Sequence, residues 1–477
     1  MLFHSLDFAL FLPVVFLLYW ALTSVSLKAQ NAFIVLASYV FYGWWDMRFL
    51  GLLMLSTLVD YLLALRLERE GKKSIRKLLV AISLFVNLGL LGFFKYYNFF
   101  VESFTEAFSV LGVPIQSPSL NIILPVGISF YTFQTLSYVL DVYRQRMQAS
   151  KDLLAFTAYV SFFPQLVAGP IERATRLLPQ FSIQRTFVYG KAVDGLKQIL
   201  WGLFKKVVIA DNCAVVVNQI FEMNEPSGST VLVGAFLFAF QIYGDFSGYS
   251  DIAIGTARLF GIDLMRNFAF PYFSRNVGEF WRRWHISLSA WFRDYVYIPL
   301  GGSRGLPWVT VRNVAVVFLL SGLWHGANWT FVAWGTLHAL YFMPFLLLGR
   351  NRQHLDVVAQ GRWLPSPVEM VQMVATFAMV MIAWIFFRAA HMSQAIDMIS
   401  ALFSPSFATV PDLLPLKILL LIFIMLLVEW MGREHAYALE SISWRLSRPV
   451  RWCIYYALLI AIVYMGGREQ QFIYFQF

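Results

Sequence analysis

The sequence predicts an all-α polytopic membrane protein. Three observations predict it: an extreme apolar composition, a succession of long charge-free runs, and basic residues gathered in the connections between them. Hydrophobic residues make up 59% of the 477 positions and charged residues 13%, against roughly 45–50% and about 25% in soluble domains. Phe, Tyr and Trp number 46, 22 and 16, and a water-soluble particle of this size has no interior large enough to hide them. A soluble enzyme, a disordered chain and a disulfide-built domain are excluded. Some 10–12 helices of about 20 residues each would use about half of the chain. Residues 1–477 are therefore expected to form a single integral-membrane domain, with no stretch left over for a folded domain in water.

The net charge is +10. In a membrane protein this points to cytoplasmic loops beside anionic headgroups. Nucleic-acid binding needs a basic patch on a domain in water, so no nucleic-acid partner is expected. Cys213 and Cys453 cannot build a framework and carry no metal spacing, so no metal site is expected either.

The first apolar run, Phe8–Leu27, follows no Lys or Arg and precedes no small-residue cleavage site, so it reads as an uncleaved span. Further runs are Asn31–Trp45, Phe49–Leu65 (with Asp60), Leu78–Phe94, Ile122–Leu140, Leu153–Ile171, a segment around Val193–Val217, and Val231–Tyr243. Val314–Leu337, Met370–Phe387, Ile418–Val428 and Trp452–Gly467 complete the series. Several are short for a perpendicular crossing and are candidates for re-entrant or interfacial segments. Arg66, Arg69, Lys72, Lys73, Arg76 and Lys77 mark one connection as cytoplasmic, whereas Asn98–Leu120 carries Glu102 and Glu106 without Lys or Arg. Counting back from the basic connection places the N-terminus outside. The basic stretch Arg266–Arg312 should also meet the cytoplasm.

Three segments concentrate polar groups at or near membrane depth, where such groups are functional candidates because they are costly in hydrocarbon. In SGLWHGANWTFVAW, His325 lies within an otherwise uncharged run. On a continuous helix Ser321, Asn328 and Trp329 share its face. A neutral imidazole there suits a general base whose tautomer Asn328 or Ser321 would fix; a helix-packing histidine is the alternative. Gly322 and Gly326 allow close approach of another helix. In GEFWRRWHISLSAWFRDYVYIPLGG, Trp281, Trp284, Leu288, Trp291 and Tyr295 form one stripe, which describes an amphipathic interfacial helix with His285 facing inward. In QIYGDFSGYSDIAIG, Asp245 and Asp251 are read either as part of a proton or substrate path or as salt-bridged to Arg258, Arg275 or a neighbouring helix. Gly244 and Gly248 form a small-residue packing pair. His338, thirteen residues past His325, does not share its face on a continuous helix. No HExxH, GxxxxGKS, GxSxG or CxxC pattern occurs, which argues against a zinc protease, a P-loop pump and a hydrolase elbow.

From FWRRWHISLSAWFRDYVYIPLGG followed by SGLWHGANWTFVAWGTLHALY, the chain resembles the membrane-bound O-acyltransferase (MBOAT) family. It is most similar to the branch of bacterial alginate O-acetyltransferase membrane subunits. LPVGISFYTFQTLSYVLDVYR, FFPQLVAGPIER, QIYGDFSGYSDIAIG and the terminal REQQFIYFQF extend the resemblance over nearly the whole chain. The resemblance implies a ring of helices around a thin centre, with a cytoplasmic funnel reaching His325 as the catalytic residue. His285 falls at the family's second site position. It also implies acetyl-CoA as the donor, without a resident cofactor, in the bacterial inner membrane, with an exported polysaccharide as the ultimate acceptor.

The residues agree with that chemistry. Arg282, Arg283, Arg293 and Arg304 would present charge and donors to the phosphates of the acyl donor, although an interfacial anchor explains them as well. His325 would deprotonate an acceptor hydroxyl, and Asn328, Trp324 or a backbone N–H would stabilise the oxyanion. Extracytoplasmic connections too small to grip a polymer imply a separate periplasmic or membrane-anchored acetyltransferase, docking near the N-terminus, Asn98–Leu120 and the tail Phe472–Phe477; the resemblance implies that this partner is SGNH-hydrolase-like. The alternatives are transfer of a D-alanyl group to teichoic acid or of a lipid acyl chain, or a non-catalytic transporter or flippase. Inverted repeats with broken helices would favour a transporter, and the sequence shows none.

Overall fold

The computed structural model describes residues 1–113, 120–167, 169–466, 470 and 472–473. Every regular element among them is helical. Eight helices are long and apolar enough to cross a bilayer: Leu6–Ser24, Met47–Arg69, Lys73–Val110, Gly228–Leu259, Pro307–His325, Trp329–Leu347, Pro367–Arg388 and Arg448–Met465. Leu27–Gly43, Ile128–Tyr143 and Leu416–Gly432 follow at 17, 16 and 17 residues. The chain is a multi-pass membrane protein.

Three of the expected apolar runs and connections differ. Leu153–Ile171 is no single crossing: helix Leu153–Ser161 stops at Phe162, and the piece Phe163–Leu166 starts anew with Pro164 in its first turn. The run after Phe94 remains helical through a π-turn at Gly92–Tyr96 and the helix Tyr97–Val110, so much of the expected Asn98–Leu120 connection is helix. Residues 114–119 of that connection lie outside the described residues, as does most of the aromatic tail 468–477. The third difference, in Val314–Leu337, belongs to the site described below.

The chain divides into two compact units, Met1–Val193 with Thr256–Met265, and Asp194–Gly255 with Arg266–Phe477. In the first, Arg76 donates to the carbonyls of Leu67 (2.6 Å) and Tyr143 (2.8 Å), pinning the basic connection between two long helices. Asp60, in the middle of an apolar helix, accepts from Ser83 Oγ (2.6 Å) and Asn87 Nδ2 (2.8 Å). Both bonds come from the neighbouring helix, which is how a carboxyl is accommodated at that depth.

In the second unit the helix Gly228–Leu259 crosses a chain that passes from helix through a π-turn at Phe204–Ala210. The two backbones approach so closely that a Cβ at Gly202 would lie 2.6 Å from Gly248 O, and one at Gly248 would lie 2.8 Å from Gly202 O. The small-residue pair Gly244/Gly248 is therefore a packing device. The π-turn offers two consecutive lysines to the carboxylates of the crossing helix. Lys205 pairs with Asp251 at 2.6 Å and Lys206 with Asp245 at 2.8 Å, Lys206 reaching Asp211 at 2.7 Å as well.

Candidate active site

The helix Pro307–His325 starts at a proline in its first turn and ends at His325. Gly326 leaves it with extended backbone (φ −162°, ψ 153°), and Asn328 caps the next helix, Trp329–Leu347, by accepting from Thr330 N at 3.0 Å. The uncharged run is thus a helical hairpin rather than one continuous helix. Its two arms pack through glycines: a Cβ at Gly322 would collide with the Phe331 carbonyl, and one at Gly335 with the Phe318 carbonyl.

The hairpin corrects the expected helical face. Ser321 keeps its place one turn before His325, but Asn328 and Trp329 belong to the other arm. Asn328 spends its amide on Ala390 O (2.9 Å) as well as on the cap, and Trp329 is exposed. Asn328 is therefore a capping residue, and the orienting role expected for it does not follow from this geometry.

The tryptophan-rich segment is also broken. Helices Val277–Arg283 and Ile286–Phe292 flank Trp284 and His285, and His285 takes the left-handed conformation, φ +42° and ψ 55°. For a non-glycine residue that conformation costs about 1–2 kcal/mol, so neighbouring bonds must hold it. Asn267 supplies them. Its carbonyl accepts from Ile286 N (2.9 Å), its side-chain oxygen accepts from Ser287 Oγ (2.9 Å), and its amide donates to Ser250 (3.1 Å). The continuous stripe expected from the spacing is interrupted at the residue that matters. The break turns the imidazole into the interior, where it is 1% exposed.

The two breaks bring the two histidines together. The His325 ring lies 5.0 Å from Trp324, 5.0 Å from Trp334 and 5.3 Å from Phe387. The His285 ring lies 4.6 Å from Phe246 and 5.8 Å from Trp324. Trp324, a residue expected near the reacting centre, thus touches both. Burial pushes the His285 imidazole down to about 3, so it is neutral at physiological pH. Neither of its ring nitrogens has a hydrogen-bond partner among the described residues, which leaves both available to a reacting group. Beside the site lies a largely apolar cavity of about 170 Å³ lined by Trp281, Leu288, Phe292, Arg293, Phe318 and Ser321, among others. It reaches from Arg293 to the turn before His325.

The arginines separate into two classes. Arg282 donates to the carbonyls of Asn351 (2.6 Å) and His354 (2.7 Å). Arg283 pairs with Glu279 at 2.8 Å and donates to the carbonyls of Ala269 (3.2 Å) and Asp356 (2.9 Å). These contacts hold the 351–356 loop, which favours the structural reading of this pair over the expected phosphate role. Arg293 is mostly exposed and pairs only with its neighbour Asp294 (2.7 Å) among the described partners, and Arg304 is exposed. Asp245 and Asp251 carry the lysine partners described above, neither Arg258 nor Arg275.

Residues 145–388, which hold both breaks and both histidines, match the model of the membrane-bound O-acyltransferase family. The chain belongs to this family. As an MBOAT protein it is an acyltransferase and acts on an acyl donor. A probable alginate O-acetylase of Azotobacter vinelandii is 40% identical over 85% of the chain and 78% of its own length. A peptidoglycan O-acetyltransferase of Helicobacter pylori is 35% identical, with 82% and 77% covered. A teichoic acid D-alanyltransferase of Bacillus subtilis is 28% identical over 52% of the chain and 64% of its own length.

Sequence reasoning missed three residues of the candidate site. Asn267 gives no signal because its role depends on the left-handed break. His338 was set apart from His325 by a spacing argument that assumed one helix, and Trp334 was not singled out. On the hairpin, Trp334 lies between the two histidines, 5.0 Å from His325 and 4.9 Å from His338, and Trp281 Nε1 donates to His338 Nδ1 at 3.3 Å.

Proposed function

We propose that this chain takes an acetyl group from acetyl-CoA at the cytoplasmic face of the bacterial inner membrane and delivers it for O-acetylation of an exported, alginate-like polysaccharide. The observation that carries this reading is the pair of buried histidines at two helix breaks inside the family region. The relatives that act as O-acetylases match over more of the chain and at higher identity than the D-alanyltransferase, and this supports acetyl as the group transferred.

His325 acts as general base. It takes the proton of an acceptor hydroxyl as the oxygen attacks the thioester carbonyl, a C–O bond forms, the C–S bond breaks, and the proton passes to the leaving thiolate. His285 faces the same reacting centre in neutral form. Ser321 and the apolar cavity border the path of the acyl arm, and Arg293 and Arg304 meet the donor phosphates at its cytoplasmic mouth. Trp324 or a backbone N–H contributes to oxyanion stabilisation. The acceptor is a separate periplasmic or membrane-anchored, SGNH-hydrolase-like acetyltransferase, with the N-terminus of this chain on that side.

The test supplies radiolabelled acetyl-CoA to the outside of inside-out vesicles, with and without the periplasmic partner, and follows label into the polysaccharide. Label that enters only with wild-type protein and the partner supports the reading. Label in polysaccharide at equal rate without the partner removes the relay, and no transfer from acetyl-CoA removes the donor.

A further inference from the structure

We propose that the first unit carries a phosphate-binding pocket, built around Arg185, that takes the headgroup of an anionic phospholipid. The cavity measures about 220 Å³ and is lined by Trp20, Gln180, Gln184, Arg185, Lys191 and Arg258, among others. Among its described lining residues three are cationic and none is acidic.

Arg185 makes this a built site rather than a basic surface. The residue is 5% exposed, and a guanidinium keeps its charge in a protein. One nitrogen, Nη2, donates to Asn31 Oδ1 at 2.6 Å. Asn31 is itself fixed by donating to Phe181 O at 2.8 Å. The guanidinium carbon stands 5.5 Å from the Tyr19 ring centroid and 5.6 Å from that of Phe181. Those faces attract the charge, Tyr19 also acting on it as a side-chain partner, and Nε and Nη1 have no hydrogen-bond acceptor within bonding geometry among the described residues. A buried charged group with idle donors is costly. A phosphate in the cavity removes that cost, because its oxygens match the guanidinium fork.

The surroundings fit an anion that arrives on a lipid. Lys191 is half-exposed and paired with Asp263 at 2.8 Å. Gln180 holds the Asp263 backbone from both sides, accepting from its N–H at 2.8 Å and donating to its carbonyl at 3.0 Å. The chain leaving the pocket exposes Ile183, Phe187, Val188 and Tyr189. Trp20, at the end of the first helix, donates its indole N–H to Leu259 O at 2.9 Å. Apolar and aromatic residues around a cationic pocket are what the headgroup layer of a bilayer accommodates.

The experiment uses the full chain purified in a neutral detergent. Native mass spectrometry and titration read the binding of a short-chain phosphatidylglycerol, with inorganic phosphate as a second probe. The expected result is one retained phosphatidylglycerol per chain, little binding of inorganic phosphate at the same concentration, and at least tenfold weaker lipid binding in Arg185→Gln. Thr186→Glu places a negative charge on an exposed lining residue, so it tests the pocket even where Arg185→Gln fails to fold, with the same loss expected. Inorganic phosphate that binds as tightly as the lipid and displaces it supports the phosphate pocket but overturns the lipid as its source. No binding of either probe, or wild-type binding in both variants, overturns the pocket.

Discussion

The rings of His285 and His325 stand 6.3 Å apart between centroids, tilted 55° to each other. The two residues come from different helix pairs, and each sits where a helix is interrupted. An imidazole at the end of a helix can lean into a shared space that a side chain in mid-helix, stacked against its own turn, would not reach.

His325→Ala is expected to remain folded and inserted while losing acetyl transfer by a factor on the order of 10²–10⁴, the usual contribution of a positioned general base. The measurement is label transfer from acetyl-CoA at matched membrane expression. Normal transfer at normal expression would return His325 to a packing role.

Asn267→Ala removes the acceptor of Ser287 and the donor to Ser250 and loosens the left-handed turn at His285. We expect a stability loss of about 1–3 kcal/mol and a fall in kcat larger than any change in KM, because Asn267 positions His285 without touching substrate. Unaltered kcat with lowered stability would show that the turn tolerates the change without consequence for the reaction.

His285 also gives a pH dependence. Its folded value of about 3 lies below the ordinary 6.5, so between these limits the unfolded chain binds the extra proton. Its contribution to stability is therefore complete above pH ~6.5 and lost as the pH falls below it, by at most ~1.4 kcal/mol per unit. His285→Gln should show a shallower decline than wild type in detergent melts between pH 7.5 and 5. An identical decline would place the sensitivity elsewhere.

The arginine classes make opposite predictions. Arg282→Gln with Arg283→Gln frees the 351–356 loop and should lower the melting temperature with little change in KM for acetyl-CoA. Arg293→Gln should leave the melt alone and raise that KM several-fold. Steady-state kinetics and thermal melts on both variants decide, and a reversal of the two results would restore Arg282 and Arg283 as phosphate ligands.

The all-helical membrane class, most of the spans and the two histidines were legible because they depend on composition and on a polar residue standing in an apolar run. What was hidden depends on helix termini. Nothing in a run without charge or proline announces that Gly326–Asn328 reverses the chain, because glycine is tolerated inside membrane helices and an asparagine cap resembles any buried amide. The same holds for Trp284–His285, where the helical stripe continues through a residue with positive φ. The role of the arginines was hidden for a different reason. Their partners are carbonyls of a loop some 70 residues away in sequence, such as Asn351 for Arg282, and main-chain acceptors leave no trace in side-chain spacing.

On the proposed reading, the hairpin whose first arm ends at His325 also sets how deep the reaction lies. The helix Pro307–His325 has 19 residues, and at 1.5 Å per residue it covers about 28 Å, close to the ~30 Å hydrocarbon thickness. On the reading proposed above, with Arg304 facing the cytoplasm, an acyl group that reaches His325 has passed most of the bilayer before any bond changes. On the proposed reading the thioester arm is the vehicle, and the length of a single helix sets the distance it travels.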